Sequence, residues 1–309
     1  MSERSHDDTA AEMLPAGETW TDADRADLER AVGLLTTPSL TVRIAAVVGS
    51  PVEGLIAKLP KPISRRIHGA VEMALERAVR VALWKMADAP ERKASTRLHK
   101  VAAAATGAVG GFFGWGGLLV EIPTATTVMM RAIADVARSE GFSIADPRVQ
   151  QDCIAVFSFG GSGRDDDAAD TGYYAARAMI EQVAQGAEGA LVAHAAKRAA
   201  EQAGHRTAAR SLAAKEGGPL LAKLIQAVAA RLGVVFSEKA AAQMLPVLGA
   251  ASGATINTLF TDHFQAMARG HFIVRRLEAR HGAARVRAEF ERIVASRRGP
   301  PVPATPPRG

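Results

Sequence analysis

The sequence predicts an all-α protein, built as a single multi-helix domain with glycine-rich helical hairpins. Hydrophobic residues make up 48% of the 309-residue chain, and many of them are alanine, whereas aromatic residues make up only 5%. Alanine has the highest intrinsic helix propensity, while strands are enriched in β-branched and aromatic residues. Apolar residues also recur at three- and four-residue intervals, and no segment of useful length alternates with the period of a strand.

Composition divides the chain into one domain and two flanking segments. Residues 1–20 are polar and acidic, and residues 299–309 are rich in proline. Neither segment carries enough periodic apolar residues to build a packed core, so we expect both to be disordered. We therefore predict one helical domain over residues 21–298, with no internal linker and no fixed repeat.

Capping and proline signals order the helices of the first part of this domain. Thr21 or Asp22 can cap a first helix, which Pro38 ends. A second, apolar helix follows and runs to the turn at Pro60. Residues 63–87 then form an amphipathic helix, because their apolar residues share one face and their arginines and glutamates line the other.

Residues 101–120 carry no charge and contain six glycines. This window and a second uncharged window, residues 240–261, are long enough to cross a hydrocarbon core of about 30 Å, but both are poor in the large apolar residues of a typical span. No G-x-x-x-x-G-K-[ST] signature indicates a phosphate-binding loop. We favour a tightly packed helical hairpin, which can also lie against a membrane, with a turn at Gly116 and Gly117. The glycines predicted to make this close packing are Gly107, Gly110, Gly111 and Gly114.

Similar signals place the helices of the second half. Gly141 predicts a helix C-cap, and Asp146, followed by proline, predicts the next helix start. Ser237 can cap a long apolar pattern that Pro246 should kink or divide. The last helix is expected over residues 283–298.

Two blocks of the sequence resemble the EcsC family. The first is ATGAVGGFFGWGGLLVEIPTATTVMMRAIADVARSEGFSIADPRVQ, with a glycine-rich run, an acidic residue before proline, a long helix, a Gly-Phe turn and an Asp-Pro cap. The second is LPVLGAASGATINTLFTDHFQAMARGHFIVRRLEARHG, which resembles the family's C-terminal signature. The resemblance spans roughly residues 60–285. It departs from the family pattern at Glu140, where a tyrosine is usual.

This resemblance implies a setting rather than a reaction. The family takes its name from a protein encoded beside an ABC transporter, which implies a link to membrane transport or to the membrane surface. It implies no established catalytic activity. A tyrosine-specific role at the Gly-Phe turn is in doubt for this chain, because position 140 is glutamate.

Six polar residues are the candidates for a functional site. They lie within the two family-like blocks and are Glu121, Asn257, Asp262, His263, His271 and Arg275. Glu121 is expected either to cap a helix start, where negative charge is favoured, or to be a buried polar anchor or ligand group. The spacings from Asn257 onward put the others on neighbouring faces of one helix.

Two interpretations of these residues stay open. One is a buried structural network, in which Asp262 pairs with Arg275 or Arg276. The alternative is a metal-dependent enzyme with a site formed by Glu121, Asp262, His263 and His271, since carboxylates and imidazoles are metal ligands. No H-E-x-x-H, H-x-H or cysteine-rich spacing occurs, so the sequence by itself predicts no metal and no cofactor.

Charge suggests the kind of partner. The net charge is +6 and the isoelectric point is about 9.8, with positive residues gathered in residues 58–69 and toward the C-terminus. Such a surface attracts anionic lipid headgroups or nucleic acid, but basic residues interleaved with aromatics are missing, so nucleic acid is not the expected partner. The single cysteine and the polar N-terminal segment favour a cytoplasmic location. We predict a non-catalytic protein at the inner face of the membrane, bound to its surface or to a membrane transporter.

Overall fold

The structure, a computed structural model of the chain, describes residues 19–48, 59–83, 114–160, 169–185, 218–243 and 250–298. Within these ranges it contains nine α-helices and no strand, so the all-α prediction is confirmed. The helices are α1 (Asp22–Leu35), α2 (Leu40–Val48), α3 (Lys61–Ala78), α4 (Gly114–Ser139), α5 (Pro147–Ala155), α6 (Ala169–Gln185), α7 (Gly218–Gln243), α8 (Ala250–His281) and α9 (Ala283–Arg298).

The longest helix, α8, is the centre of the described part. It packs against α1, α2, α4 and α9. A second group of contacts joins α3 to α4 and to α7, and α7 also contacts α2 and α6. Phenylalanines on α8 and its neighbours are fully buried and fill the space between these helices. The chain therefore brings polar residues from α4, α5, α6 and α7 to different levels of one central helix.

Local signals fix several helix ends as expected. The Thr21 side chain accepts a hydrogen bond from the Asp24 backbone N–H, and the Asp24 carboxylate accepts one from the Thr21 backbone N–H, which is a capping box. Asp146 caps α5 by accepting from the backbone N–H of Arg148 at 2.8 Å. Gly141 follows α4 with a φ of +91°, a left-handed conformation that favours glycine.

The predicted turn at Gly116 and Gly117 is wrong, because α4 runs without interruption from Gly114 through Pro123 to Ser139. Leu118 and Ile122 are fully buried on this segment, so tertiary packing outweighs the low helix propensity of glycine and proline. Gly114 is the first residue of α4, while Gly107, Gly110 and Gly111 lie outside the described residues. The close-packing hairpin therefore remains a prediction.

Helix α4 is long and apolar enough to cross a membrane over residues Gly117–Ser139. However, 56% of its most apolar window is buried inside the protein. The packing of α4 against α3 and α8 is sufficient to explain this apolarity.

The helix start predicted at Ser237 is also wrong. Ser237 lies inside α7, and its hydroxyl donates to the carbonyl of Gly233 at 2.8 Å. The helix continues through Gly233, which lies where α7 and α3 approach each other closely. A Cβ there would lie 2.5 Å from Cδ2 of His68. The break predicted at Pro246 lies outside the described residues.

Candidate functional site

The six candidate residues do not converge on one point. Glu121 is on α4 and the other five are on α8, where Asn257 and His271 are separated by roughly 21 Å along the helix axis. Their contacts define three levels of α8, each with its own partners. We describe them as the lysine cluster, the histidine relay and the α1–α8 cleft.

The lysine cluster joins α4, α7 and α8. The ammonium of Lys239 donates hydrogen bonds to Glu121 Oε1 and to Asn257 Oδ1. The Lys239 side chain is fully buried and that of Glu121 is 2% exposed. Burial lowers the pKa of Lys239, and the Glu121 carboxylate opposes this shift. The second carboxylate oxygen of Glu121 has no hydrogen-bond partner within the described residues.

This geometry decides between the two interpretations of Glu121. It is the eighth residue of α4, well past the first turn, so it does not cap a helix start. It is instead the anion of a buried ion pair. A second buried bond lies next to it, where the Thr41 hydroxyl of α2 donates to Glu238 at 2.8 Å. Together these contacts fasten α2, α4 and α8 to α7.

The histidine relay is a chain of three side chains, the half-buried Asp152 of α5 and the buried His271 of α8 and Tyr173 of α6. Nε2 of His271 lies 3.2 Å from Oδ1 of Asp152, and Nδ1 lies 2.8 Å from the hydroxyl of Tyr173. Burial lowers the pKa of His271 and raises that of Tyr173. The imidazole is therefore neutral at neutral pH. The tyrosine O–H donates to Nδ1, and Nε2–H faces the carboxylate.

Arginines surround this relay. Nε of Arg275 donates to Asp152 Oδ2 at 3.0 Å. Arg177 forms a bidentate pair with Glu278, with distances of 2.8 and 2.9 Å. An Asp–His–Tyr order resembles a proton relay, but His271 is fully buried and Tyr173 is only 5% exposed. The contacts fit a structural role, since both ends of the relay are occupied by protein groups.

His263 contacts the turn after α5. Nε2 of His263 lies 3.3 Å from the carbonyl oxygen of Phe159, and Nδ1 has no partner within the described residues. Gly160 has a φ of +65°, and a Cβ there would lie 2.6 Å from Cε1 of His263. Burial lowers the pKa of His263 to about 4. This histidine is a neutral packing residue at neutral pH.

Asp262 faces a different environment, the α1–α8 cleft. This cleft has a volume of about 620 Å³ and lies between the end of α1, the start of α2 and the middle of α8. Its lining residues are Leu34, Thr37, Pro38, Arg43, Asp262, Gln265, Ala266 and Arg269. Its charged side chains come from α2 and α8.

The alternative metal site is not supported in the described part of the chain. No group of three or more His, Cys, Asp and Glu side chains there could hold a metal ion. Glu121 binds Lys239, His263 contacts Phe159, and His271 contacts Tyr173 and Asp152. The four residues of that hypothesis are thus distributed over different contacts.

Sequence reasoning missed Lys239, Asp152 and Tyr173. One signal was available for the first of these. Glu238 and Lys239 are the only charged residues between Arg231 and Asp262, a stretch that is otherwise apolar or weakly polar. Charges isolated in this way are candidates for burial in pairs. Asp152 and Tyr173 carried no comparable signal, since each lies among ordinary helix residues.

The family comparison covers all three levels of α8. The model of the EcsC protein family matches residues 36–277, which is most of the chain. Neither the curated proteins nor the solved structures include a match to the chain. The match includes the lysine cluster, most of the residues around the histidine relay and all but one of the residues that line the α1–α8 cleft. On this match, the chain belongs to the EcsC protein family.

Proposed function

We propose that this protein is a non-catalytic, peripheral membrane protein that binds anionic lipid surfaces through the exposed face of α3. The observation that carries the proposal is a set of four exposed arginines, Arg65, Arg66 and Arg77 on α3 and Arg80 on the π-helical turn Val79–Leu83 that continues it. None of them forms an ion pair or side-chain hydrogen bond within the described residues. We call these arginines, together with Met73, the α3 basic face.

The α3 basic face differs from the other arginine-rich surfaces. The four arginines of α8 form ion pairs, as Arg276 does with Asp27 at 2.7 Å, and on α9 Arg287 and Arg292 are paired as well. Unpaired guanidiniums are free to bind phosphate groups without first breaking an ion pair. Juxtamembrane basic residues are worth about 1 kcal/mol each at an anionic surface.

An apolar residue lies within the same face. Met73 is 66% exposed, and the spacing of Arg66, Met73 and Arg77 places all three on one side of the helix. A basic helix face with an exposed apolar side chain suits the headgroup region of a bilayer. On the adjacent helix α4, Val120 is 79% exposed. A membrane transporter is the second kind of partner that this proposal allows. The described contacts do not favour a transporter over lipid.

A sedimentation assay with vesicles tests the proposal. The full chain is mixed with phosphatidylcholine vesicles, with or without phosphatidylglycerol, at low and high salt. We expect binding only when phosphatidylglycerol is present, and weaker binding at high salt. Replacing the four arginines of the α3 basic face by glutamine should weaken binding about a thousandfold, given about 1 kcal/mol for each residue.

The matched control removes the same charge elsewhere. Replacing Arg285, Arg287, Arg292 and Arg297 of α9 by glutamine lowers the net charge equally and leaves α3 intact. We expect this variant to keep most of its binding. Equal losses in both variants would show that overall charge, not the α3 basic face, is responsible. Equal binding to nucleic acid and to vesicles would also contradict a lipid-specific role.

A further inference from the structure

The thioether of Met73 is the oxidisable group of the α3 basic face. The methionines within the described residues are Met73, Met129, Met130, Met179 and Met267. Met129, Met130 and Met267 are buried, and Met179 is 43% exposed, with its sulfur 4.0 Å from a guanidinium nitrogen of Arg231. Met73 is 66% exposed. Among the methionines that the structure describes, it is therefore the one most open to a dissolved oxidant.

The thiol of the protein is closed to oxidants. Cys153 is the single cysteine of the chain, and its side chain is fully buried on α5. Peroxides react with the thiolate form of cysteine rather than with the thiol. Burial, together with the nearby Asp152 carboxylate, raises the pKa of the Cys153 thiol well above its usual range, so little thiolate forms at neutral pH. A peroxide therefore meets the sulfur of Met73 before it reaches this thiol.

Met73 lies between two arginines of the α3 basic face. Arg66 precedes it by seven residues and Arg77 follows it by four. At roughly 100° per residue, the three side chains point within roughly 40° of one another. Arg66 and Arg77 lie roughly 10 Å and 6 Å from Met73 along the helix axis. A membrane that binds both guanidiniums therefore contacts the methionine between them.

Oxidation would change the polarity of this contact. The methionine side chain is apolar, whereas methionine sulfoxide carries a polar S–O group that accepts hydrogen bonds from water. Placing the sulfoxide at the boundary between headgroups and acyl chains removes part of that hydration, which costs free energy. The four arginines keep their charge, so the oxidised protein would be left with the electrostatic part of its attraction to lipid.

We propose that Met73 is a peroxide-sensitive modification site, and that its reversible oxidation to the sulfoxide loosens the α3 basic face from the membrane. This proposal rests on the function proposed above. A lone pair of the thioether sulfur attacks one oxygen of hydrogen peroxide, the O–O bond breaks and an S–O bond forms. The departing oxygen takes the proton of the transferred oxygen and leaves as water, so the sulfur is oxidised by two electrons and the peroxide is reduced by two. A methionine sulfoxide reductase with a thiol reductant reverses the modification.

Mild treatment of the full chain with hydrogen peroxide, stopped with catalase, tests the proposal. Mass spectrometry of proteolytic peptides measures oxidation at each methionine, and sedimentation with vesicles that contain phosphatidylglycerol measures binding of the same samples. We expect Met73 to be oxidised faster than Met179, while the buried Met129, Met130 and Met267 stay unmodified. Oxidation of Met73 should weaken vesicle binding about fivefold or more, since one apolar contact is lost.

Two variants assign the loss to one sulfur, and each is compared only with itself before and after peroxide. Met179→Leu should lose binding to the same extent as the wild type, whereas Met73→Leu should show no loss, because leucine has no sulfur to oxidise. Methionine sulfoxide reductase with dithiothreitol should restore binding by the oxidised wild type. The proposal is overturned if Met73→Leu loses as much binding as the wild type, or if Met179 is oxidised before Met73.

The untreated protein separates this proposal from the proposed function. If the untreated wild type does not bind phosphatidylglycerol vesicles, the proposed function is wrong and the role of Met73 is wrong with it. If the untreated protein binds and oxidation of Met73 leaves binding unchanged, only the role of Met73 is wrong. The arginines would then be sufficient for binding to lipid.

Discussion

At the scale of single residues, the fully buried Lys239 is the feature that most needs a physical explanation. An ammonium in a protein interior is stable only if its hydrogen-bonding groups are satisfied. Glu121 and Asn257 supply two acceptors, and the Phe260 ring lies 5.6 Å from Nζ. Each of the three polar groups therefore depends on the other two.

This dependence predicts strongly non-additive mutations. Lys239→Met leaves a buried carboxylate without its cation and should lower the free energy of unfolding by about 3–5 kcal/mol. Glu121→Gln leaves the ammonium without its anion and should cost a similar amount. The double variant Lys239→Met/Glu121→Gln should cost clearly less than the sum. Urea unfolding followed by circular dichroism measures all three values.

A surface pair provides the comparison. Arg292 and Glu289 on α9 are 2.5 Å apart, but Arg292 is largely exposed. Their separate replacement by alanine should change stability by no more than about 1 kcal/mol. Additive losses at Lys239 and Glu121 would show that the two do not act as a pair.

His263 predicts a loss of stability in acid. Its pKa falls from 6.5 in the unfolded chain to about 4 in the folded protein because the ring is buried. Between these values the unfolded chain binds more protons, so stability decreases as the pH falls from 6.5 to 4. The shift corresponds to about 3 kcal/mol. His263→Gln should therefore flatten the dependence of unfolding free energy on pH over this range.

The control must destabilise the same region without removing a titrating group. Met267→Ala serves this purpose, because Met267 is buried on α8 close to Gly160 and His263. This variant should be less stable at every pH but should keep the slope of the wild type. An unchanged slope in His263→Gln would mean that other groups, such as buried His271, account for the acid sensitivity.

At the scale of helices, α1 lies outside the part of the chain that the family model matches. The family match begins at residue 36, directly after α1 ends at Leu35. The helix is held to α8 by Asp24, which contacts Arg280 at 2.6 Å and His281 at 3.1 Å, and by Trp20, whose ring stacks on His281. Close approach of the two helices occurs at Gly270. A Cβ at Gly270 would lie 2.6 Å from Leu35 Cγ and 3.2 Å from the Ala31 carbonyl oxygen.

This contact predicts opposite effects for two glycine substitutions. Gly270→Ala should lower the free energy of unfolding by about 1–2 kcal/mol, since overpacking against the α1 backbone outweighs the gain in helix propensity. Gly69→Ala, on the exposed side of α3 with nothing within 4 Å of the new Cβ, should raise it by about 0.5–1 kcal/mol. Stabilisation by both substitutions would show that α1 does not pack tightly on α8. Thermal unfolding of the two variants distinguishes these outcomes.

Helix boundaries show which local signals can be trusted. Thr21, Gly141 and Asp146 were identified correctly, because capping depends on residues that are adjacent in sequence. The breaks expected at Gly116 and Ser237 are absent, because burial of Leu118 and the contact of Gly233 with His68 stabilise continuous helices. Those contacts come from distant parts of the chain, and periodicity within one segment carries no information about them.

At the scale of the whole molecule, the sequence predicted the class of fold and the family but not the arrangement of the polar residues. Alanine content and three- to four-residue periodicity are sufficient for an all-α prediction. The spacing of the α8 residues predicted neighbouring faces of one helix. It could not predict that Lys239, Asp152 and Tyr173 would reach them from three other helices, since such pairings depend on tertiary contacts.

In the whole molecule, exposed side chains support the proposed function and the buried polar residues do not. The buried candidates all contact protein groups, whereas the arginines of the α3 basic face have no described partners. The net charge of +6 is thus less informative than which arginines lack an ion pair. Paired arginines on α8 and α9 contribute to the total charge without being available to lipid. A membrane-bound protein of this kind needs the face to lie in the headgroup region.

Environment-sensitive fluorescence at Met73 measures that contact. Cys153 is buried, so Met73→Cys provides an exposed thiol for labelling, and Ala288→Cys on α9 provides the matched control. We expect the label at position 73 to shift to shorter wavelength with phosphatidylglycerol vesicles and to return in high salt, while the label at position 288 stays unchanged. An unchanged spectrum at position 73, or an equal shift at both positions, would contradict binding through the α3 basic face.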